Sequence, residues 1–254
     1  MLEFPIAIQL YSVRNEMEAD FVATLKQLKK MGYDGVELVG MYGRKPEEIH
    51  AICTEIGLVP VSVHVGIDEI MNWSTEQFQK YVRIGCRQVV LSYIPPEYRY
   101  GTDQYDELLK HLREMGEYGR KIGVPLAYHN HDFEFAKVDE EYVLDMLYRK
   151  IPSDTLLTEL DTCWIHVGGE NPVDYIRKYS NCMLAVHLKD YQISEDGLDI
   201  CMCPLGQGLL DFQDILFAVK ETSTEWLVVE QDYPNGNSTP MECARMSIEY
   251  LKSL

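Results

Sequence analysis

Along this chain, short aliphatic runs alternate with longer segments in which apolar residues recur every three to four positions. The first run, Ile6-Ala7-Ile8-Gln9-Leu10-Tyr11, reads as a strand. The segment after it puts Phe21, Leu25 and Leu28 on one helical face, opens at Asp20 and closes at Gly32. The same strand-then-helix unit repeats to the end of the chain. Further strands are predicted at residues 35–39, 59–65, 87–94, 125–129, 156–161, 183–190 and 226–232. Helices are predicted over 46–57, 74–84, 102–122, 140–151 and 172–179, from about 211, and from about 239 to the C-terminus. Pro46 with Glu47 and Glu48 marks one helix start, and Tyr105, Leu108, Leu109, Leu112 and Met115 keep the period of the longest helix.

Eight strands alternating with eight helices, with no Pro/Gly-rich linker between them, predict an α/β fold. The expectation is one (β/α)8 TIM barrel of eight parallel strands occupying residues 1–254 as a single domain. A doubly wound open sheet would ordinarily place a glycine-rich turn after its first strand, and Tyr11-Ser12-Val13-Arg14-Asn15 has no glycine.

Side-chain alternation carries the pattern from fold to chemistry. If Ile6/Ile8/Leu10, Val36/Leu38, Val61/Val63/Val65, Leu126/Tyr128, Leu156/Thr158/Leu160, Leu184/Val186/Leu188 and Leu227/Val229 face the helices, the complementary residues face inward. That inward set is polar: Gln9, Tyr11, Glu37, Ser62, His64, His129, His131, Glu159, Asp161, His187, Lys189, Glu230 and Asp232. Polar inward residues at strand C-terminal ends sit where this fold assembles active sites.

Composition narrows the partners. The 254 residues are 46% hydrophobic and 25% charged, enough for a sizeable core. A net charge of −18 opposes a phosphate backbone, so nucleic acid is not an expected partner. The chain starts without a basic leader or long apolar segment, which predicts a cytoplasmic protein with no membrane partner; a homo-oligomer remains open. The seven cysteines form neither a zinc spacing nor a disulfide framework, and Cys201-Met202-Cys203 reads as a loop of free thiols. Gly206-Gln207-Gly208 is not a phosphate cradle on its own, and Asp211 beside it reads as a helix cap.

Three carboxylates, Glu159, Asp161 and Glu230, sharing one barrel mouth with His187 and His129 would repel unless a cation lies among them. One divalent metal ion, Mn²⁺, Co²⁺, Zn²⁺ or Mg²⁺, is the economical cofactor. The segments Tyr128-His129-Asn130-His131-Asp132-Phe133-Glu134-Phe135, Glu159-Leu160-Asp161-Thr162-Cys163-Trp164, His187-Leu188-Lys189-Asp190, Gly206-Gln207-Gly208 and Val229-Glu230-Gln231-Asp232 occur in that order. Together they resemble the xylose-isomerase-like barrel family of sugar isomerases and epimerases, inosose dehydratases and 3-keto-glycoside lyases. The resemblance implies a metal held by a Glu, an Asp, a His and a second Glu, the last three at Asp161, His187 and Glu230. His129 stands where many relatives have the first glutamate. It is then a ligand candidate itself, with Glu159 supplying the missing carboxylate as ligand or base.

A metal bridging a carbonyl and a neighbouring hydroxyl acidifies the intervening C–H, and isomerisation, epimerisation and elimination share the resulting enediolate. His131, Glu159 or Glu134 could be the base, with Glu230 both ligand and acid/base group. Lys189 is either an electrophile or the partner of Asp161, Glu230 or Asp232. Glu37, His64 and His129 are candidates to hold substrate hydroxyls, and Trp164, in a loop, to stack on a sugar. The expected activity is a metal-dependent isomerase or epimerase of a small, non-phosphorylated carbohydrate or keto-sugar. A lyase or dehydratase on a 3-keto-glycoside or inosose is next. An endonuclease-type or non-catalytic sugar-binding barrel ranks last.

Overall fold

A computed structural model describes residues 3–194, 196–234, 236 and 238–254. Eight parallel strands close into a barrel: β1 (Ile6–Gln9), β2 (Gly35–Val39), β3 (Val59–Val65), β4 (Gln88–Leu91), β5 (Leu126–His129), β6 (Leu156–Asp161), β7 (Met183–Leu188) and β8 (Trp226–Val229). Each neighbours its sequence successor, and β1 pairs with β8 through Ile6↔Leu227 and Ile8↔Val229 to complete the ring. This is a (β/α)8 TIM barrel.

The helices begin and end where local chemistry says they should. Asp20 accepts the Ala23 N–H at the start of Phe21–Met31, Ser74 accepts that of Gln77 at the start of Thr75–Ile84, and Thr239 forms a capping box with Glu242 ahead of Pro240–Ser253. Each helix turns its apolar stripe to the barrel's outer face, as Leu108, Leu112 and Met115 do in Tyr105–Ile122. Fully burying one such side chain contributes about 1.5–3 kcal/mol. No helix of the described residues is long and apolar enough to cross a membrane.

Several boundaries differ from the sequence pattern. Leu10 and Tyr11 leave the strand for a 3-10 turn, Leu10–Val13, because the Gln9 side chain accepts the Tyr11 N–H. The helix predicted from 140 starts at Val143, since Lys137–Val138 and Glu141–Tyr142 pair as a small hairpin turned by left-handed Asp139 and Glu140. Trp164 lies in the helix Thr162–Val167 and not in a loop, because Asp161 caps it. Cys201-Met202-Cys203 is likewise strand and not loop: Ile200–Cys203 pairs antiparallel with Asp190–Ile193 above the barrel.

Inside the barrel, the tier nearest the strand N-termini is apolar: Ala7, Val61, Ala185, Trp226 and Val228 form one buried cluster. Val61 belongs here and not on the outer face where strict alternation put it. The β2–β3 register steps from Val36↔Pro60 to Glu37↔Ser62, and this bulge turns Val61 inward. Gly35 makes the arrangement possible, for a Cβ there would lie 2.7 Å from Val61 and 2.9 Å from Trp226.

Candidate active site

Above the apolar plug the interior becomes polar at once. Gln9 Nε2 donates to Glu37 Oε1 at 2.7 Å, Ser62 Oγ donates to Glu37 Oε2, and Gln88 Nε2 donates to Glu159 Oε2 at 2.5 Å. The remaining contacts of the two carboxylates converge on two imidazoles. Glu37 Oε1 lies 2.9 Å from His64 Nε2 and 2.8 Å from His187 Nε2; Glu159 Oε1 lies 2.9 and 3.0 Å from the same atoms. The two rings lie nearly parallel, their centroids 5.4 Å apart. Burial opposes charge on His64, but Glu37 and Glu159 prevail and lift it to about 10. The same balance carries His187 well above its ordinary value and, against the effect of burial, holds Glu37 well below its own.

The tier above opens into a cavity of about 480 Å³ whose wall includes His64, His129, His131, Trp164, Lys189 and Glu230. Lys189 Nζ stands 3.2 Å from Asp161 Oδ2, 3.0 Å from Glu230 Oε2 and 3.1 Å from Asp232 Oδ2. Burial disfavours its charge, but these three carboxylates raise its pKa well above the usual lysine value. Glu230 Oε2 also meets His187 Nδ1 at 3.1 Å. Glu230 is held well below its ordinary value, Lys189 and then His187 overcoming its burial.

The β5 side is different. His129 is buried with no hydrogen bond to Nδ1, and His131 Nδ1 is unpartnered as well. Burial, with His187 and His64 adding to it, pushes His129 well below its ordinary value; burial, then Lys189, pushes His131 to about 3. Both rings are neutral near pH 7. Glu134 follows from the same strand and accepts the His131 N–H at 2.7 Å and a bond from Tyr128 Oη; burial lifts its carboxyl to about 8.

Two buried groups bring potential ligand atoms within 4.8 Å of one another: His64, His129, Glu159 and His187, and His129, Asp161, His187 and Glu230. The second fits a divalent ion better. Asp161 Oδ1 caps Trp164 N–H while its Oδ2, 3.2 Å from Lys189 Nζ, makes no hydrogen bond; His129, common to both groups, is already neutral, as a ligand must be. On giving up one proton to a bound ion, His187 can offer Nδ1 while its Nε2 hydrogen donates to Glu37 or Glu159, the carboxylate-backed arrangement common at metal-bound imidazoles. In the first group, by contrast, Glu159 and His64 already satisfy one another.

The barrel therefore brings ten of the eleven residues given a role from the sequence into its upper interior, at two depths, while Glu134, a base candidate, turns away to Tyr128 Oη and the His131 N–H. His64, His129, His131, Trp164, Lys189 and Glu230 line the cavity. Asp161 and His187 stand just behind that wall, both fully buried. Glu37 and Glu159, expected to touch substrate or act as base, lie beneath and brace the two imidazoles. Sequence reasoning missed Gln88, although a lone amide opening Gln88-Val89-Val90-Leu91 was the available signal. It also missed Ile200 and Met202, which the hairpin hangs over the mouth, and Tyr93, which donates no chemistry that a sequence shows.

Asp190 explains the glycine loop. Its carboxylate accepts the N–H groups of Tyr191, Gly206, Gly208 and Leu210 at 2.9, 3.0, 2.8 and 3.2 Å. A Cβ at Gly208 would lie 2.1 Å from Asp190 Oδ1. Asp211 caps the next helix through Gln213 and Asp214 N–H.

A profile of the xylose isomerase-like TIM barrel family matches residues 25–254, and the chain belongs to that family. An inosose dehydratase of Clostridium botulinum (strain Alaska E43 / Type E3) is 25% identical over 170 residues, 61% of this chain and 56% of that protein. Another, of Geobacillus kaustophilus (strain HTA426), is 21% identical over 268 residues, 91% and 86% of the two chains. The match to the first, as to an inosose dehydratase of Lacticaseibacillus casei, spans little more than half of the relative's length. Among solved structures, a sugar phosphate isomerase/epimerase from Parabacteroides distasonis ATCC 8503 superposes with a TM-score of 0.81 at 21% identity, covering 100% of this chain and 95% of that one. An IolI protein with a bound zinc atom gives 0.74 at 15% identity, covering 98% and 97%. Both show a shared fold.

Proposed function

We propose that this protein is a divalent-metal-dependent enzyme that removes the proton beside the ketone of a non-phosphorylated keto-inositol or keto-sugar and expels water from the adjoining carbon. The observation that carries this reading is the asymmetry of the cavity. One wall bears neutral imidazoles, His129 and His131; the other bears a pinned ammonium, Lys189, beside the depressed carboxylate of Glu230. Inversion at carbon asks for two opposed proton carriers, and Glu230, engaged by both Lys189 and His187, is not free to be the second.

Held by His129, Asp161, His187 and Glu230, a divalent ion would supply Lewis-acid stabilisation of the charge that develops on the ketone oxygen. His131, whose neutral ring lines the cavity, accepts the carbon-bound proton and returns it to the departing hydroxyl, so that one C–H and one C–O bond break, a C=C bond forms and water leaves. Lys189 keeps its own proton and hydrogen-bonds the developing oxyanion. Lys189, engaged by three carboxylates, and His64, engaged by Glu37 and Glu159, are both balanced within the chain and leave no positive surplus for a phosphate. The inosose dehydratase relatives support elimination.

Isomerisation, placed first by the sequence, is the second reading, since His131 could return its proton to the neighbouring carbon instead. Protein loaded in turn with Mn²⁺, Co²⁺ and Zn²⁺ is incubated in D₂O with keto-inositols and keto-sugars and followed by NMR and mass spectrometry. Loss of one water, abolished by His131→Gln, supports the dehydratase. Deuterium incorporation at conserved composition supports the isomerase, and no reaction with any ion overturns both.

A further inference from the structure

The mouth of the active-site cavity differs in character from its floor. Among the described residues nine large apolar side chains are exposed, and four of them line this one cavity: Tyr11 (37%), Tyr93 (39%), Ile200 (42%) and Tyr233 (64%). Exposed apolar groups gathered in this way, and not scattered singly, mark a binding surface. Beneath them His64, His129, Lys189 and Glu230, all buried, offer the polar partners that one hydroxylated ring needs. At about 480 Å³ the cavity falls in the range that encloses a drug-sized molecule, more than a single six-membered ring fills.

Two arginines hold the three tyrosines in place. Arg14 Nη1 donates to the Tyr11 carbonyl at 2.8 Å and the Asp232 carbonyl at 2.9 Å, and its guanidinium carbon lies 4.0 Å from the centre of the Tyr11 ring and 5.7 Å from that of Tyr233. Arg99 Nη2 donates to Tyr93 Oη at 2.7 Å, and the Tyr93 ring meets Phe133 edge-on with centroids 5.5 Å apart. Side chains fixed before binding lose less entropy when a ligand arrives. We infer that this collar holds a flat aromatic group carried by the substrate, while the ring that reacts lies in the polar floor. The inference rests on the reading of that floor as the seat of a keto-inositol or keto-sugar. The aromatic group stays attached through the reaction, and water is still what leaves. Tyrosine rings, with the Met202 thioether beside them in the same wall, favour an aromatic face over an aliphatic one of equal size.

The test is calorimetric titration of the full chain, in the presence of Zn²⁺, with phenyl, cyclohexyl and methyl β-D-glucosides. The phenyl compound is expected to bind roughly tenfold more tightly than the methyl compound, with the cyclohexyl compound between them. Tyr233→Phe keeps that preference, because the ring face and not the hydroxyl carries it. Tyr233→Ala reduces it to about threefold, and Tyr11→Ala combined with Tyr233→Ala removes it, while metal content and circular dichroism stay as in the parent. No measurable binding of phenyl β-D-glucoside, equal binding of the phenyl and methyl compounds, cyclohexyl binding as tight as phenyl, or a preference that survives the double substitution overturns the inference. These glucosides carry no ketone and are not turned over, so failure of the proposed reaction would leave a phenyl preference intact. Dehydration of a keto-inositol without any phenyl preference would uphold that reaction and overturn the collar.

Discussion

The two ends of the barrel interior solve the same packing problem with opposite chemistry. At the strand N-termini, five apolar residues fill the space by shape. One tier higher, Glu37, Glu159, His64 and His187 fill it by mutual hydrogen bonding, and above them Lys189 holds three carboxylates together. The first arrangement depends on nothing outside the chain. The second is charged, and under the proposed function the two ends should respond differently to metal.

The sharpest contrast comes from the ligand candidates. Asp161→Ala or His187→Ala is expected to remove a bound divalent ion, read by elemental analysis of the purified protein. Turnover should fall on the order of a thousandfold, equivalent to about 4 kcal/mol of transition-state stabilisation. Full metal occupancy in Asp161→Ala with loss in His187→Ala would transfer the site to the deeper group of His64, His129, Glu159 and His187.

Denaturant titrations with and without metal carry the comparison into stability. Trp226→Ala should cost about 3–5 kcal/mol in either condition, because it leaves a cavity. Lys189→Met should cost about 3–5 kcal/mol in metal-free protein, where three carboxylates lose their counter-charge, and distinctly less with the ion bound. Equal costs in both conditions would show that the upper tier is as self-sufficient as the lower.

Glu134 gives a smaller, pH-resolved effect. Burial raises its pKa from 4.5 to about 8, so the native state keeps a proton that the unfolded chain releases. Its contribution is whole below pH 4.5 and declines as pH rises towards 8, with a slope of about 1.4 kcal/mol per pH unit at most. The slope should be absent in Glu134→Gln, and an unchanged profile would mean the carboxyl is ionised in the fold. Smallest is Gln88→Leu, expected to destabilise by about 1–3 kcal/mol by leaving Glu159 Oε2 without its donor.

Much of this was legible before any coordinates. The strand–helix alternation was strong enough to give the barrel, because apolar runs with period 2 and stripes with period 3.6 are separated by capping residues such as Asp20, Ser74 and Thr239. Alternation also placed Lys189, Asp161 and Glu230 together. It failed at Val61, where a bulge inserts one residue and reverses the face, a feature of pairing that no single strand encodes. Depth was invisible too. Glu37 and Glu159 share the parity of cavity residues, yet only the barrel's tilt and register decide that they lie one tier below. The hairpin over the mouth was readable in part, since Asp196-Gly197 is a turn signal between Tyr191-Gln192-Ile193 and Ile200-Cys201-Met202, but the strand reading stopped at Asp190 and took Cys201-Met202-Cys203 as a loop.

Asp190 has a consequence beyond holding its loop. In barrels of this kind the connections after the seventh and eighth strands often grip a phosphate with backbone amides. Here the amides of Gly206, Gly208 and Leu210 close on a carboxylate that belongs to the chain. A covalently attached anion acts as a competitor at millimolar or higher effective concentration that never dissociates. Those amides are thus already occupied by an anion of the chain's own, which an external phosphate would have to displace.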